Sequence, residues 1–423
     1  MQKKRRRRRS NPMILIPLLI VVCVALYFFG NFIADPPTPL FQPTVTATRD
    51  PEALFNQAAS FYESGNLERA IEAYREIVMV DAGNPSVYTE LARLQILNAE
   101  YEAAETSARN ALLLSPENPD ALAMLAWSVS FLGRSAEAEE ALLRAINADP
   151  NHALSHAIYA EVLADQGDYE RAGVESRTAY DLAPERLEVL RSRGYVLELT
   201  GNYDEAIDFY ERALAINGNI SDLYISLGRA YRALGLYDEA IAAFVQANAL
   251  NPSDPLPDTY QTLIYLTTGE YGKAVQSAEK AVEEDAANPY RYGNLGVALY
   301  RNEQYADAIG AFAYAIQGGT TETGGIVQGL PLDYGEIAQY YQLYMLSLAY
   351  ENQCGESLRV AQSLLANLQQ DENATYNANY AIEYCGGVAE AAAAEGEEEG
   401  DGVVELTPEG GLEAEELTPT PEE

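Results

Sequence analysis

Two histidines, His152 and His156, stand four residues apart, a spacing at which one face of a helix offers two imidazoles to a metal ion. They are the only histidines in the chain, and no cysteine or third imidazole lies close in sequence to complete a tetrahedral site. Two cysteines, Cys354 and Cys385, could pair as a disulfide, whereas Cys23 sits alone in an apolar run. The 64 acidic residues supply carboxylates in abundance. General acid–base chemistry needs two of them converging in a pocket, and their scattered placement reads as solvated helix faces. No glycine-rich phosphate loop follows a strand, since strands are scarcely expected anywhere. Neither catalysis nor a cofactor or metal is therefore expected. Arginine and aromatic side chains, among them 30 tyrosines, leave recognition of another protein as the chemistry the residue types favour.

A 34-residue period sets the elements that must position these residues. In Ser221–Asp254 the residues Tyr224, Leu227, Gly228 and Tyr231 line one face of a helix, and Ala240, Phe244, Ala247 and Leu250 line a second. Gly235 supplies the permissive backbone of a tight turn between them, and Pro252 stops the second helix. Steps of 34 from Ala240 reach Ala70, Ala104, Ala138, Ala172, Ala206, Ala274 and Ala308. A small residue in every copy marks the close crossing of two helices. Steps from Tyr237 reach Tyr101, Tyr169, Tyr203, Tyr271 and Tyr305, with Leu67 and Ser135 as exceptions. Eight units, 51–84, 85–118, 119–152, 153–186, 187–220, 221–254, 255–288 and 289–322, follow head to tail. In this register His152 falls in an inter-repeat turn and His156 takes the place of Tyr224, so the pair reads as structural.

The offsets in Ser221–Asp254 reproduce W-x2-L-G-x2-Y, then A-x3-F, then P, with tyrosine for tryptophan, and the chain resembles the tetratricopeptide-repeat (TPR) family. That resemblance implies an all-α solenoid whose first helices line a concave groove through repeat positions 2, 5, 6, 9, 12 and 13. Read onto this chain, those positions give Arg93, then Met124, Trp127 and Phe131, then Ile158, then Arg191 and Tyr195. Further along they give Arg229 and Arg232, then Tyr260, then Tyr290, Tyr300 and Arg301. These are the expected partner-binding residues. Phe55 and Ala59 occupy positions where some members of the family carry Lys and Asn to clamp a terminal carboxylate, so that mode does not carry over.

The net charge of −37 is uneven, with seven of the 27 basic residues among the first nine positions. The acidic remainder argues against nucleic acid or an anionic membrane surface as a ligand of the repeats, and no small-molecule substrate is indicated. Segment 1–11 reads as a basic cytoplasmic stretch and 12–34 as a transmembrane helix. The basic cluster would leave the N-terminus cytoplasmic and the repeats outside a cell membrane. Residues 35–50 form a Pro/Thr linker. After the eighth repeat a Gly-rich insertion, 323–335, suits either a small hairpin or an ordered loop. A degenerate ninth pair, 336–351 and 356–368, and a capping helix, 373–385, complete the stack. The acidic tail 386–423 is expected to be disordered. In this arrangement Cys354 lies in the turn before a helix of about 20 Å, and the next helix returns by the same length, bringing Cys385 level with it. That geometry favours a disulfide over the alternative of two unrelated buried thiols. The function expected is that of a membrane-anchored, non-enzymatic scaffold or adaptor that binds segments of other proteins, the alternative being an accessory or regulatory subunit of a membrane-bound enzyme complex.

Overall fold

A computed structural model of the chain describes residues 12–34, 51–321 and 324–395. The basic segment 1–11, the linker 35–50 and the tail from 396 onward lie outside the described residues. The first helix, α1 (Pro12–Ala34), belongs to a unit of its own, residues 1–50, and everything from Pro51 forms the second unit.

The expected single-pass anchor, and with it the cell-membrane location and the orientation of the repeats, is corrected here: among the described residues no helix is long and apolar enough to cross a membrane. Within α1, Pro17 withholds a backbone donor from the turn before it.

The second unit is a file of helical hairpins. The pairs are α2 (Pro51–Glu63) with α3 (Leu67–Val80), α4 (Pro85–Leu97) with α5 (Tyr101–Leu114), α6 (Pro119–Phe131) with α7 (Ser135–Ala148), and α8 (Ala153–Asp165) with α9 (Tyr169–Leu182). They continue as α10 (Leu187–Leu199) with α11 (Tyr203–Ile216), α12 (Ser221–Ala233) with α13 (Tyr237–Leu250), α14 (Pro255–Thr268) with α15 (Tyr271–Glu284), and α16 (Pro289–Arg301) with α17 (Tyr305–Gln317). Local sequence explains the starts: Pro85, Pro119, Pro255 and Pro289 occupy first-turn positions where a missing N–H costs nothing. Asn84, Asn118, Asp254 and Asn288 cap those helices by accepting a first-turn N–H. All eight alanines of the 34-residue column are fully buried. Beside that crossing, a Cβ on Gly228 would come within 2.6 Å of the Phe244 ring, so the glycine makes room for the aromatic knob of its own hairpin.

The turn inside each hairpin needs one residue in the left-handed region. Glycine fills it at 65, 133, 167, 201, 235 and 269, and Ala99 (φ 58°) and Glu303 (φ 61°) take the same column. The apolar core is not one body but a chain of clusters, such as those around Trp127, Tyr210 and Phe244, as expected where each repeat buries only its neighbours' faces.

Beyond α17 two short strands, β1 (Gly319–Thr320) and β2 (Ile326–Val327), pair antiparallel with Gly319 opposite Val327. The Gly-rich stretch is thus a small hairpin that begins ahead of the expected boundary at 323, and residues 322–323 lie outside the described residues. The Leu330 N–H donates to the Ala315 carbonyl at 2.8 Å, returning the chain onto α17. Three helices close the stack: α18 (Glu336–Tyr350), α19 (Cys354–Asn367) and α20 (Glu372–Glu395). Two boundaries differ from expectation. Cys354 opens α19 instead of lying in the turn before it. Helix α20 continues ten residues past Cys385, so 386–395 is not part of a disordered tail; the alanine-rich run Ala391–Ala394 has the highest helix propensity available and carries the helix past Gly386 and Gly387.

Candidate functional site: the concave face

The solenoid winds tightly enough for distant repeats to meet. The turn of the first hairpin reaches the loop after α11, where Asn219 Nδ2 donates to the Glu63 carbonyl at 3.3 Å. A Cβ on Gly65 would lie 2.3 Å from the Asn219 side chain, so only glycine admits that approach.

The N-terminal half of the concave face is filled by its own side chains. Arg93 on α4 pairs with Glu90 at 2.9 Å and, across two repeats, with Glu188 on α10 at 3.3 Å. Its guanidinium lies 4.8 Å over the Tyr62 ring. Met124, Trp127 and Ile158 are buried, and Phe131, still half exposed, stacks on Tyr101 at 4.5 Å. Arg191 lies 5.3 Å over the Trp127 ring, grips both oxygens of Glu161 at 2.7 Å, and reaches Asp222 at 2.8 Å. Burial opposes its charge, but Glu161 and Asp222 hold the guanidinium protonated even more firmly than usual. Partial desolvation likewise opposes ionisation of Asp222, and Arg191 outweighs it, holding that carboxyl below its usual range. Tyr195 donates to Asp165 at 2.5 Å. Arg229 forks onto Glu198 at 2.8 and 3.1 Å, and Tyr210 donates to the same carboxylate at 2.7 Å.

The expected groove residues therefore do not form one continuous free surface. Arg191, expected at the surface, is buried between neighbouring helices, with Met124, Trp127 and Ile158 packed in the core. Sequence reasoning passed over the carboxylates opposite the arginines. Glu161, Glu188, Glu198 and Asp222 occupy the same inward positions 9, 2, 12 and 2 of their own repeats. Three of the resulting pairs join residues 30 or 31 apart, the spacing that brings adjacent first helices side by side, so a search for opposite charges at that interval would have found them.

The C-terminal half differs. Arg232 lies 5.6 Å over Tyr260, which stacks on Phe244 at 5.2 Å. Tyr290 is half exposed, and Arg301 makes no ion pair among the described residues. Tyr300 enters a cluster with Tyr305 at 5.5 Å and Tyr350 at 6.4 Å, and Tyr350 meets Tyr384 at 5.6 Å.

The two histidines turn to different partners and do not converge. His152 Nε2 faces Asp120 at 3.0 Å, whereas His156 faces Glu175 through Nδ1 at 2.6 Å and the Pro150 carbonyl through Nε2 at 3.0 Å. Both nitrogens of His156 meet acceptors, so the doubly protonated ring satisfies the site, and the hydrogen bond to Glu175 raises its pKa. Among the described residues no group of three or more His, Cys, Asp or Glu is arranged to hold a metal ion. Cys354 and Cys385 are joined through their sulfurs with Cα atoms 5.5 Å apart, tying the start of α19 to the middle of α20.

Comparison with known proteins places these features in context. Family models described as tetratricopeptide repeat match residues 52–78, 100–162, 152–219, 194–251, 225–289 and 261–322. Anaphase-promoting complex subunit 6 of Arabidopsis thaliana is 31% identical over 107 residues, 25% of this chain and 20% of that protein. BBSome complex member BBS4 of Mus musculus is 22% identical over 299 residues, 63% of this chain and 57% of that protein. A solved structure, the crystal structure of APC/C hetero-tetramer Cut9-Hcn1, aligns with a TM-score of 0.47 at 20% identity, covering 57% of this chain and 48% of its own. The chain thus spans from a fifth to little more than half of these relatives' lengths.

Proposed function

We propose, for a chain that belongs to the tetratricopeptide-repeat family, that it is a protein-interaction scaffold that receives a segment of a partner protein along the C-terminal half of its concave face. One observation carries this reading. Arg93, Arg191 and Arg229 are committed to Glu188, Glu161 and Glu198. Around Tyr290, Tyr300 and Arg301, aromatic area and a cation without an ion pair are still available to a ligand. Residues of these types supply most binding energy at protein interfaces. The relatives' names, a complex subunit and a complex member, support an assembly role.

Site-specific photocrosslinking tests the proposal. A photoreactive side chain at Tyr290 or Arg301 of the full chain should capture a discrete partner in the source cells, and one at Val174 on the outer helix α9 should not. Equal capture at Val174, or none at Tyr290 and Arg301, would move the interface off this face.

A further inference from the structure

Aromatic rings along the first seven repeats are repeatedly covered by a cation of the chain itself. Arg93 lies over Tyr62 at 4.8 Å, Arg212 over Tyr180 at 5.4 Å and Phe209 at 5.1 Å, and Lys273 over Tyr265 at 5.3 Å. The pattern stops where the tyrosines are densest. Tyr300, Tyr305, Tyr350, Tyr380 and Tyr384, from α16, α17, α18 and α20, form one linked cluster, with Tyr305 and Tyr350 at 4.8 Å and Tyr380 and Tyr384 at 6.3 Å. Among the described residues no cation lies over any of these five rings. The sequence supplies the reason: between residues 302 and 385 a single cation, Arg359, stands among ten acidic residues, and it is already paired with Glu356 at 3.0 Å. Arg301 acts electrostatically on Tyr300 and Glu303 on Tyr305, so the cluster's immediate charges are one of each sign. The rings keep partial exposure, Tyr380 most of all at 37%.

We infer that this tyrosine cluster is a receptor for arginine or lysine side chains of a basic segment in the partner protein. A cation set on a tyrosine face is held by the ring quadrupole, and the chain's net charge of −37 draws a basic segment toward it and repels an acidic one. The inference rests on the scaffold reading above and specifies its partner's chemistry. It places the cationic anchor on the rim formed by α18 and α20, beside the Cys354–Cys385 link, and not in the arginine-lined half of the groove.

The test uses the full chain and a fluorescein-labelled peptide, Gly-Arg repeated four times, followed by fluorescence anisotropy at physiological salt. Tyr380→Ala, and Tyr305→Ala with Tyr380→Ala, should weaken binding by about tenfold, whereas the matching phenylalanine variants, which keep the ring faces, should stay within about threefold. A Gly-Glu repeat should not bind. Circular dichroism checks each variant, and Tyr380→Ala, at a half-exposed position, keeps the test open if the double variant fails to fold. Unchanged affinity in a folded Tyr380→Ala and in the double variant would overturn the inference, since the acidic surface alone would then suffice. Preference for a proline-rich peptide over the arginine peptide would overturn it equally. Capture at Tyr290 without arginine-peptide binding at the cluster would defeat the inference and leave the scaffold reading standing, and loss of both would defeat both.

Discussion

Arg191→Leu is the sharpest probe of how the solenoid fills its own interior. In the intact chain the Arg191 and Glu161 side chains are each only 9% exposed, and the guanidinium also holds Asp222 at 2.8 Å. Removing the arginine leaves Glu161 buried without a counter-charge, a change that costs about 3–5 kcal/mol. The lost contact to Asp222, whose side chain is 47% exposed, adds at most about 1 kcal/mol. Trp127, the only tryptophan, lies directly beneath the guanidinium, so urea unfolding followed by its fluorescence reads this region specifically. A local reading matters because repeat arrays need not unfold in one step. The double variant Glu161→Leu with Arg191→Leu should recover part of the loss, because it strands no charge at that site. The pH dependence follows from the same reasoning. Burial already pushes the Glu161 carboxyl up against the pull of Arg191, and without Arg191 that pull is gone. The folded variant then binds a proton more tightly than the unfolded chain, so its stability is greatest below the unfolded carboxyl range and declines as pH rises through the folded pKa. A loss under about 1 kcal/mol in the single variant, or a double variant no more stable than the single, would refute the account of a buried pair.

Three further perturbations test the local reasoning. Ala99→Gly should raise the thermal midpoint by relieving about 1 kcal/mol of left-handed strain at a turn where six other repeats carry glycine; an unchanged or lower midpoint counts against it. Gly228→Ala should destabilise by about 1–3 kcal/mol in a urea titration, since its Cβ would meet the Phe244 ring at 2.6 Å. Burial, together with Asp258 and Asp254, pushes Glu284 up to about 7, and Asn248 Nδ2 donates to Asp258 at 2.7 Å beside it. A carboxyl with a raised folded pKa gives stability that is complete below its unfolded value and is lost as pH climbs toward 7. Glu284→Gln mimics the protonated carboxyl, so wild type and variant should melt close together near pH 4 and the variant should gain an advantage that grows toward pH 8; a constant difference would exclude the effect.

The hairpin architecture was legible because one column, Ala70 to Ala308, combines a single residue type with a strict period, and close helix crossing leaves no other choice. The left-handed turn was legible at Gly235, but Ala99 and Glu303 show that the backbone demand persists where the residue no longer announces it. The groove was misread for a definite reason. Its positions were chosen by geometry, and the carboxylates at those same positions were set aside, so Arg191 and Arg229 looked free when Glu161, Asp222 and Glu198 stood one repeat away. The contact of Gly65 with Asn219 could not be read from a repeat pattern, since it depends on how tightly the superhelix winds, which accumulates small rotations over five repeats. At the N-terminus hydropathy alone suggested a membrane span over 12–34, whereas among the described residues no helix is long and apolar enough to cross a membrane.

Hydrogen–deuterium exchange of the full chain, with and without the partner captured at Tyr290, tests the division of the concave face most directly. The account predicts protection confined to α16, α18 and α20, with α4 to α10 unchanged because their inward side chains are already engaged. Protection spread along α4 to α10, with none in the three C-terminal helices, would contradict it.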